Sequence, residues 1–337
     1  MNPGKRHKAT GNSKKAKVFG FALCAMLFGL CVPAKAQQTK KVYRVGFLSP
    51  LESPQYFEAF RQGMRELGYT ERQNLMIDYR SAKGMPERFP DLAAELVRLK
   101  VDVIVAASGG AALAAKKATE TIPIVMGQTG DPVANELVAS LARPGGNVTG
   151  LTALATELTG KRLELLKEAV PKASRVAVLS TPGSTESGAS MTSMEEAARS
   201  LGVQLRAIEV RDVKDFEKVF ATITKEHSGA LMVLTGPLLT TNRRRIVELA
   251  AKSRLPAMYG ISEFVDAGGL MFYGASLPDM YRRAAVYVDN ILNGSKPVDL
   301  PVEQPVKFEL VLNLKAAKQI GLTIPQSVLY RATKVIK

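Results

Sequence analysis

Beyond residue 36 the sequence has no cysteine and one histidine, His227. That excludes a disulfide, a thiol nucleophile and a thiolate metal site there, and a serine, histidine and carboxylate triad could draw only on His227. His227 precedes Ser228-Gly229 at the end of a helical pattern, where a cation relieves the helix dipole. Nucleophile-elbow and dinucleotide fingerprints, G-x-S-x-G and G-x-G-x-x-G, are missing. Gly183 and Gly188 have P-loop spacing, but Ala189 and Ser190 stand where lysine and a hydroxyl residue belong. Glu195 and Glu196 are adjacent on a helical pattern and so face different directions. The expectation is a protein that is not an enzyme, with no catalytic set, no metal site and no cofactor.

A concentrated basic face is also missing. The whole chain carries 46 lysines and arginines against 31 acids in 337 residues. Seven of those cations and none of the acids lie in residues 1–36, which leaves a net charge of +8 beyond them. The densest runs, Lys116-Lys117 and Arg243-Arg244-Arg245, read as solvated helix faces, and aromatic platforms do not accompany them. No nucleic-acid partner is expected.

The leader is processing information. Lys5, Arg6, Lys8, Lys14, Lys15 and Lys17 precede an apolar run over 18–32, and Ala34-Lys35-Ala36 has the small residues of a signal-peptidase site. That run is shorter than the roughly 20 residues needed to span a bilayer. Residues 1–36 therefore read as a signal peptide cleaved near Ala36, with a periplasmic mature chain. Cys24 and Cys31 each follow a leucine, not the small residue of a lipidation site.

What remains is an alternation of short branched-apolar runs with one-sided helical patterns. Residues 42–48, 75–79, 101–107 and 122–126 read as strands, with helices over 56–67, 88–100 and 109–119 between them. Asp131-Pro132 reads as an N-cap with proline at the first helical position, predicting a helix from 132 to about 142. The turn at 143–147 then leads into a strand at 148–152. A second set follows, with strands at 176–179, 205–210, 230–234 and 257–259 and helices between them. Pro297, Pro301 and Pro305 impose an extended late segment. The pattern predicts an α/β fold of two Rossmann-like lobes with parallel sheets joined by a multi-strand hinge. The expected lobes are 41–152 plus about 265–297, and 153–264 plus about 298–337.

In such a fold, strand C-terminal ends and helix N-termini surround a shared crevice that binds small polar ligands. The loops at those ends supply hydroxyls, backbone N–H groups and aromatic walls. They nominate Ser49, Ser108, Gly109, Gly127, Gln128, Asp131, Ser180, Ser184, Ser187, Thr235, Tyr259, Glu263 and Tyr273 as ligand-binding residues. An anionic ligand group suits the N–H groups near Ser108 or Ser184 to Ser187. A ligand ammonium suits Asp131 or Glu263.

The strings ARPGGNVTG at Ala142, FRQGMRELGY at Phe60, VDVIVA at Val101, KRLELLKE at Lys161, AGGLMFYG at Ala267 and LPVEQPVKFEL at Leu300 are specific. Through them nearly all of the mature chain resembles the ABC-transporter substrate-binding family described as TrpX-like. The resemblance implies a type I periplasmic-binding-protein fold with three crossovers. It also implies closure on a small ligand, an amino acid or similar carboxylate, by a monomer that docks on an inner-membrane ABC permease with a cytoplasmic ATPase. Two other readings stay open on the residues alone: a sensor that presents its loaded form to a receptor or kinase, and a secreted α/β hydrolase or isomerase.

Overall fold

Branched apolar runs become strands where a helix on either side can cover them, and here they sort into two separate sheets. The computed structural model describes residues 41–153, 158–181 and 185–337, without the side chains of 185–191. The leader over 1–36 and the loop residue Ser184 lie outside the described residues.

The first lobe alternates β1 (Tyr43–Ser49), α1 (Pro54–Glu66), β2 (Leu75–Ser81), α2 (Phe89–Arg98), β3 (Val103–Ala106), α3 (Gly109–Ala118), β4 (Ile124–Met126) and β5 (Val148–Gly150). Its five strands lie in the order β2-β1-β3-β4-β5, all parallel. Strands β3 and β4 are buried along their whole length, as a sheet covered on both faces requires.

The second lobe contains α4 (Leu158–Ala169), β6 (Arg175–Ser180), α5 (Thr185–Leu201), β7 (Gln204–Glu209), α6 (Phe216–Lys225), β8 (Ala230–Val233), α7 (Pro237–Thr241), α8 (Arg243–Lys252), β9 (Ala257–Tyr259), α9 (Glu263–Asp266) and β10 (Met271–Ala275). Helix α10 (Leu277–Leu292) follows, and then β11 (Phe308–Asn313), α11 (Leu314–Gln319), α12 (Gln326–Arg331) and β12 (Lys334–Ile336). Seven strands form the second sheet in the order β12-β11-β10-β9-β8-β6-β7. The sequence pattern had not marked α7, α9, α12 or β12, each of six residues or fewer.

Three findings differ from the expected layout. Strand β10 pairs with β9 and β11, so 271–275 belongs to the second lobe and not the first. A strand's apolar run carries no mark of which sheet it joins. Strand β11 runs antiparallel to β10. The chain leaves β10 at its C-terminal end for α10 in the first lobe and returns at that same end, which reverses the direction of β11. The third concerns the helix expected from 132: only a turn forms, because Glu136 takes the left-handed φ of 53°. Asp131 still caps that turn, accepting from Val133 N and Ala134 N at 2.9 and 3.0 Å.

Helix α10 completes the first lobe by lying along α1. Tyr56, Phe60 and Met64 of α1 and Met280, Tyr281, Ala284 and Val288 of α10 share one buried cluster with the β1 and β3 side chains. The two backbones meet at Gly63, where a β-carbon would stand 2.8 Å from Ala285 Cβ. Between the lobes, the segment after β5 and the late proline-bearing segment run side by side. Glu303 N donates to Gly150 O at 2.9 Å and Thr152 N to Glu303 O at 3.0 Å. The lobes are thus held by paired extended backbone, and residues Val42–Lys337 form one compact unit.

Candidate functional site

Strands β1 and β3 of the first lobe and β8 and β9 of the second end in loops that face each other across a cleft of about 550 Å³. That volume lies in the ordinary range for small-molecule sites, about 300–1,000 Å³.

Six of the nominated residues line this cleft: Ser49, Ser108, Gly109 and Gln128 from the first lobe, Thr235 and Glu263 from the second. Ser49 is buried at the end of β1, and its hydroxyl donates to Leu51 O at 2.6 Å. Ser108 caps α3, accepting from Ala111 N at 3.2 Å, so the first N–H groups of a ten-residue helix open at the cleft wall. Thr235 sits against Gly260, where a β-carbon would come within 2.5 Å of its hydroxyl oxygen.

Five of the others stand elsewhere. Gly127 lies behind the wall, where the absence of a side chain admits the ring of Tyr281. Asp131 is exposed and spends its carboxylate on the turn it caps. Ser180 is buried at the end of β6 but is not part of the lining. Tyr259 is buried and stacked on Phe264 at 4.6 Å, inside the second lobe's core. Tyr273 stacks on Phe308 at 6.1 Å on the opposite side of that core. Ser187 lies in α5 and Ser184 outside the described residues. Loop position predicts proximity to a strand end, but whether a side chain turns inward depends on its register in the pleat.

Side chains that spacing did not single out form most of the wall. Phe47, Tyr56 and Tyr281 make an aromatic surface on the first lobe, with Tyr56 stacked on Tyr281 at 5.4 Å and 16°. Burial, and then the carboxylate of Glu263 across the cleft, push the Tyr56 hydroxyl's ionisation far upward, so it stays a neutral donor. Tyr281 donates to Ala107 O at 3.3 Å. On the second lobe, Arg162 is 5% exposed although it sits in the charged run KRLELLKE. Its Nε donates to Tyr273 O at 2.7 Å and its Nη2 to Gly260 O at 3.3 Å. Gly260 and Gly274 leave the room this guanidinium occupies. A buried cation held by carbonyls is a polar post at the base of the cleft.

Glu263 stands apart from these. Its Oε2 is buried and has no hydrogen-bond partner. An unpaired buried carboxylate oxygen is expensive, and a ligand donor would satisfy it.

The family model for ABC transporter substrate binding protein matches residues 45–336. The chain belongs to that family. Its members are extracytoplasmic receptors that hand a small solute to an ABC importer, and this one is such a substrate-binding protein. It is 25% identical over 291 residues to the tyrosine-binding protein of Clostridioides difficile strain R20291, covering 86% of this chain and 84% of that one. A conserved domain protein of Vibrio cholerae O1 biovar El Tor is 30% identical with a TM-score of 0.79, over 88% of this chain and all of the other. An ABC domain of Streptococcus pneumonia in complex with L-Trp is 25% identical with a TM-score of 0.80, again over 88% and 100%. The two-lobed, mostly parallel arrangement is that of type I periplasmic binding proteins. Among the described residues no helix is long and apolar enough to cross a membrane, and no cluster of metal-ligating side chains is present.

Proposed function

We propose that this substrate-binding protein captures an α-amino acid with an aromatic or bulky apolar side chain, or a similarly small carboxylate, by closing its lobes, and delivers it unchanged to the permease. The observation that carries this reading is the cleft itself: an aromatic wall on one lobe faces a carboxylate with an unpaired buried oxygen on the other. The relatives named for tyrosine and found with L-Trp support the choice of ligand class. The leader supports a periplasmic mature chain beginning near Gln37, acting as a monomer that needs no catalytic group.

A screen of melting temperatures against the amino acids and small carboxylates tests it. A true ligand at 100 times its dissociation constant adds about 2.7 kcal/mol of stability. Stoichiometric binding with the ligand recovered intact is the expected result. Stabilisation by no amino acid or carboxylate, or turnover of the bound compound, overturns it.

A further inference from the structure

The cleft continues outward into a second compartment of about 510 Å³ at its mouth, reached past Leu51, Ser53, Thr240 and Glu263, which line both spaces. The inner space is walled by Phe47, Tyr56, Tyr281 and Phe272 and is largely apolar. The outer one adds Glu52, Gln55, Lys83 and Arg243. Lys83 and Glu52 pair with each other at 3.7 Å. Arg243 is in no ion pair among the described residues, and its guanidinium donates to Thr240 O at 3.1 Å. The mouth is narrow, since a β-carbon on Gly84 of the first lobe would stand 3.9 Å from Thr241 Oγ1 of the second.

We infer that the ligand lies with its side chain inward and its charged head outward, the ammonium on Glu263 and the carboxylate facing Arg243. This rests on the amino-acid reading above and adds an orientation to it. The ammonium and carboxylate of an amino acid branch from one carbon, so their partners must converge on one spot. Glu263 and Arg243 both line the outer compartment, with opposite charges. The inner space carries the rings of Phe47, Tyr56 and Tyr281, which suit the ligand's side chain. An ammonium placed there would give the Glu263 oxygen the donor it lacks.

Calorimetry with the purified protein tests the orientation. The probes are L-tyrosine or L-phenylalanine, whichever wild type binds tighter, its des-amino acid and its carboxamide. Wild type is expected to prefer the amino acid over each analogue by at least about tenfold, as a hydrogen bond to a charged group commands. Glu263→Gln should abolish the preference over the des-amino acid and keep that over the carboxamide. Arg243→Gln should do the reverse. Melting of the unliganded variants near that of wild type separates lost recognition from lost folding. If the amino acid binds but Arg243→Gln keeps its full preference for the free carboxylate, or Glu263→Gln its preference for the amine, the orientation is overturned while the ligand class stands. Wild type that binds the des-amino acid and not the amino acid overturns the orientation and leaves the small-carboxylate part of the reading; wild type that binds neither overturns the orientation and the aromatic amino-acid reading together.

Discussion

Single positions show where backbone geometry leaves no choice. Gly150 has φ of 123°, and a β-carbon there would stand 2.4 Å from Met126 O, inside the β4–β5 pairing that leads into the hinge. Gly150→Ala is expected to lower stability by at least about 3 kcal/mol, measured by urea unfolding, because neither the φ nor the neighbouring strand can relax. Gly127→Ala acts through a side chain instead. Its methyl group would meet the Tyr281 ring at 2.6 Å and push it toward the ligand space. Weaker ligand binding with a stability loss of about 1–3 kcal/mol is expected, read by calorimetry and melting. Asp131 behaves as a cap: Asp131→Ala should cost about 1 kcal/mol and leave ligand affinity unchanged. The sequence favours Asp131 and Glu263 equally as ammonium partners, and only Glu263 reaches the cleft. Arg162 was hidden from sequence reading because nothing in KRLELLKE separates a buried arginine from its solvated neighbours. The glycines that make room for it, Gly260 and Gly274, lie about a hundred residues away and are the one available signal.

At the scale of elements, the late crossing is tied to helix α10. Arg283 donates to Glu303 through Nη2 and Nε at 2.6 and 2.8 Å, and Tyr287 donates to Pro301 O at 2.6 Å. The Arg283 guanidinium holds the Glu303 carboxyl below the usual carboxylate range, against an opposing effect of burial. A lowered folded-state pKa means that the stabilisation is present above the unfolded value, about 4.3, and disappears as pH falls through the folded value. Both side chains are more than a third exposed, at 47% and 39%, so the contribution is under about 1 kcal/mol. The melting temperature of Glu303→Gln should therefore lie below wild type at pH 7, and the gap should close as pH falls through the folded value. The helices and strands of the first lobe were legible as elements, since 3.6-residue and buried-run patterns mark them locally. Their partners were not: β10 reads the same whichever sheet it joins, and the interruption at Glu136 is absent from a pattern that only counts apolar spacing and caps.

For the whole molecule, the lobes share paired extended segments and an interlobe cleft, so ligand contacts made by both lobes favour the closed arrangement over any open one. Solution scattering should show a smaller radius of gyration on addition of a ligand found in the thermal screen. No change at saturating ligand would mean that capture occurs without lobe movement.

The sequence by itself determined the α/β class, the pair of alternating sets and the absence of cysteine beyond residue 36, because each is written in local periodicity or residue type. It also placed Ser49, Ser108, Gly109, Gln128, Thr235 and Glu263 at strand ends that the fold brings to one cleft. Only the tertiary structure decided that Asp131, Tyr259 and Tyr273 turn away, that Tyr56, Tyr281 and Arg162 form the wall, and that Arg243 and Glu263 line one compartment. Those outcomes depend on which face of the pleat a residue occupies and on which distant segments close over it. Both are set by the packing of two sheets against their helices, which no short stretch of chain contains.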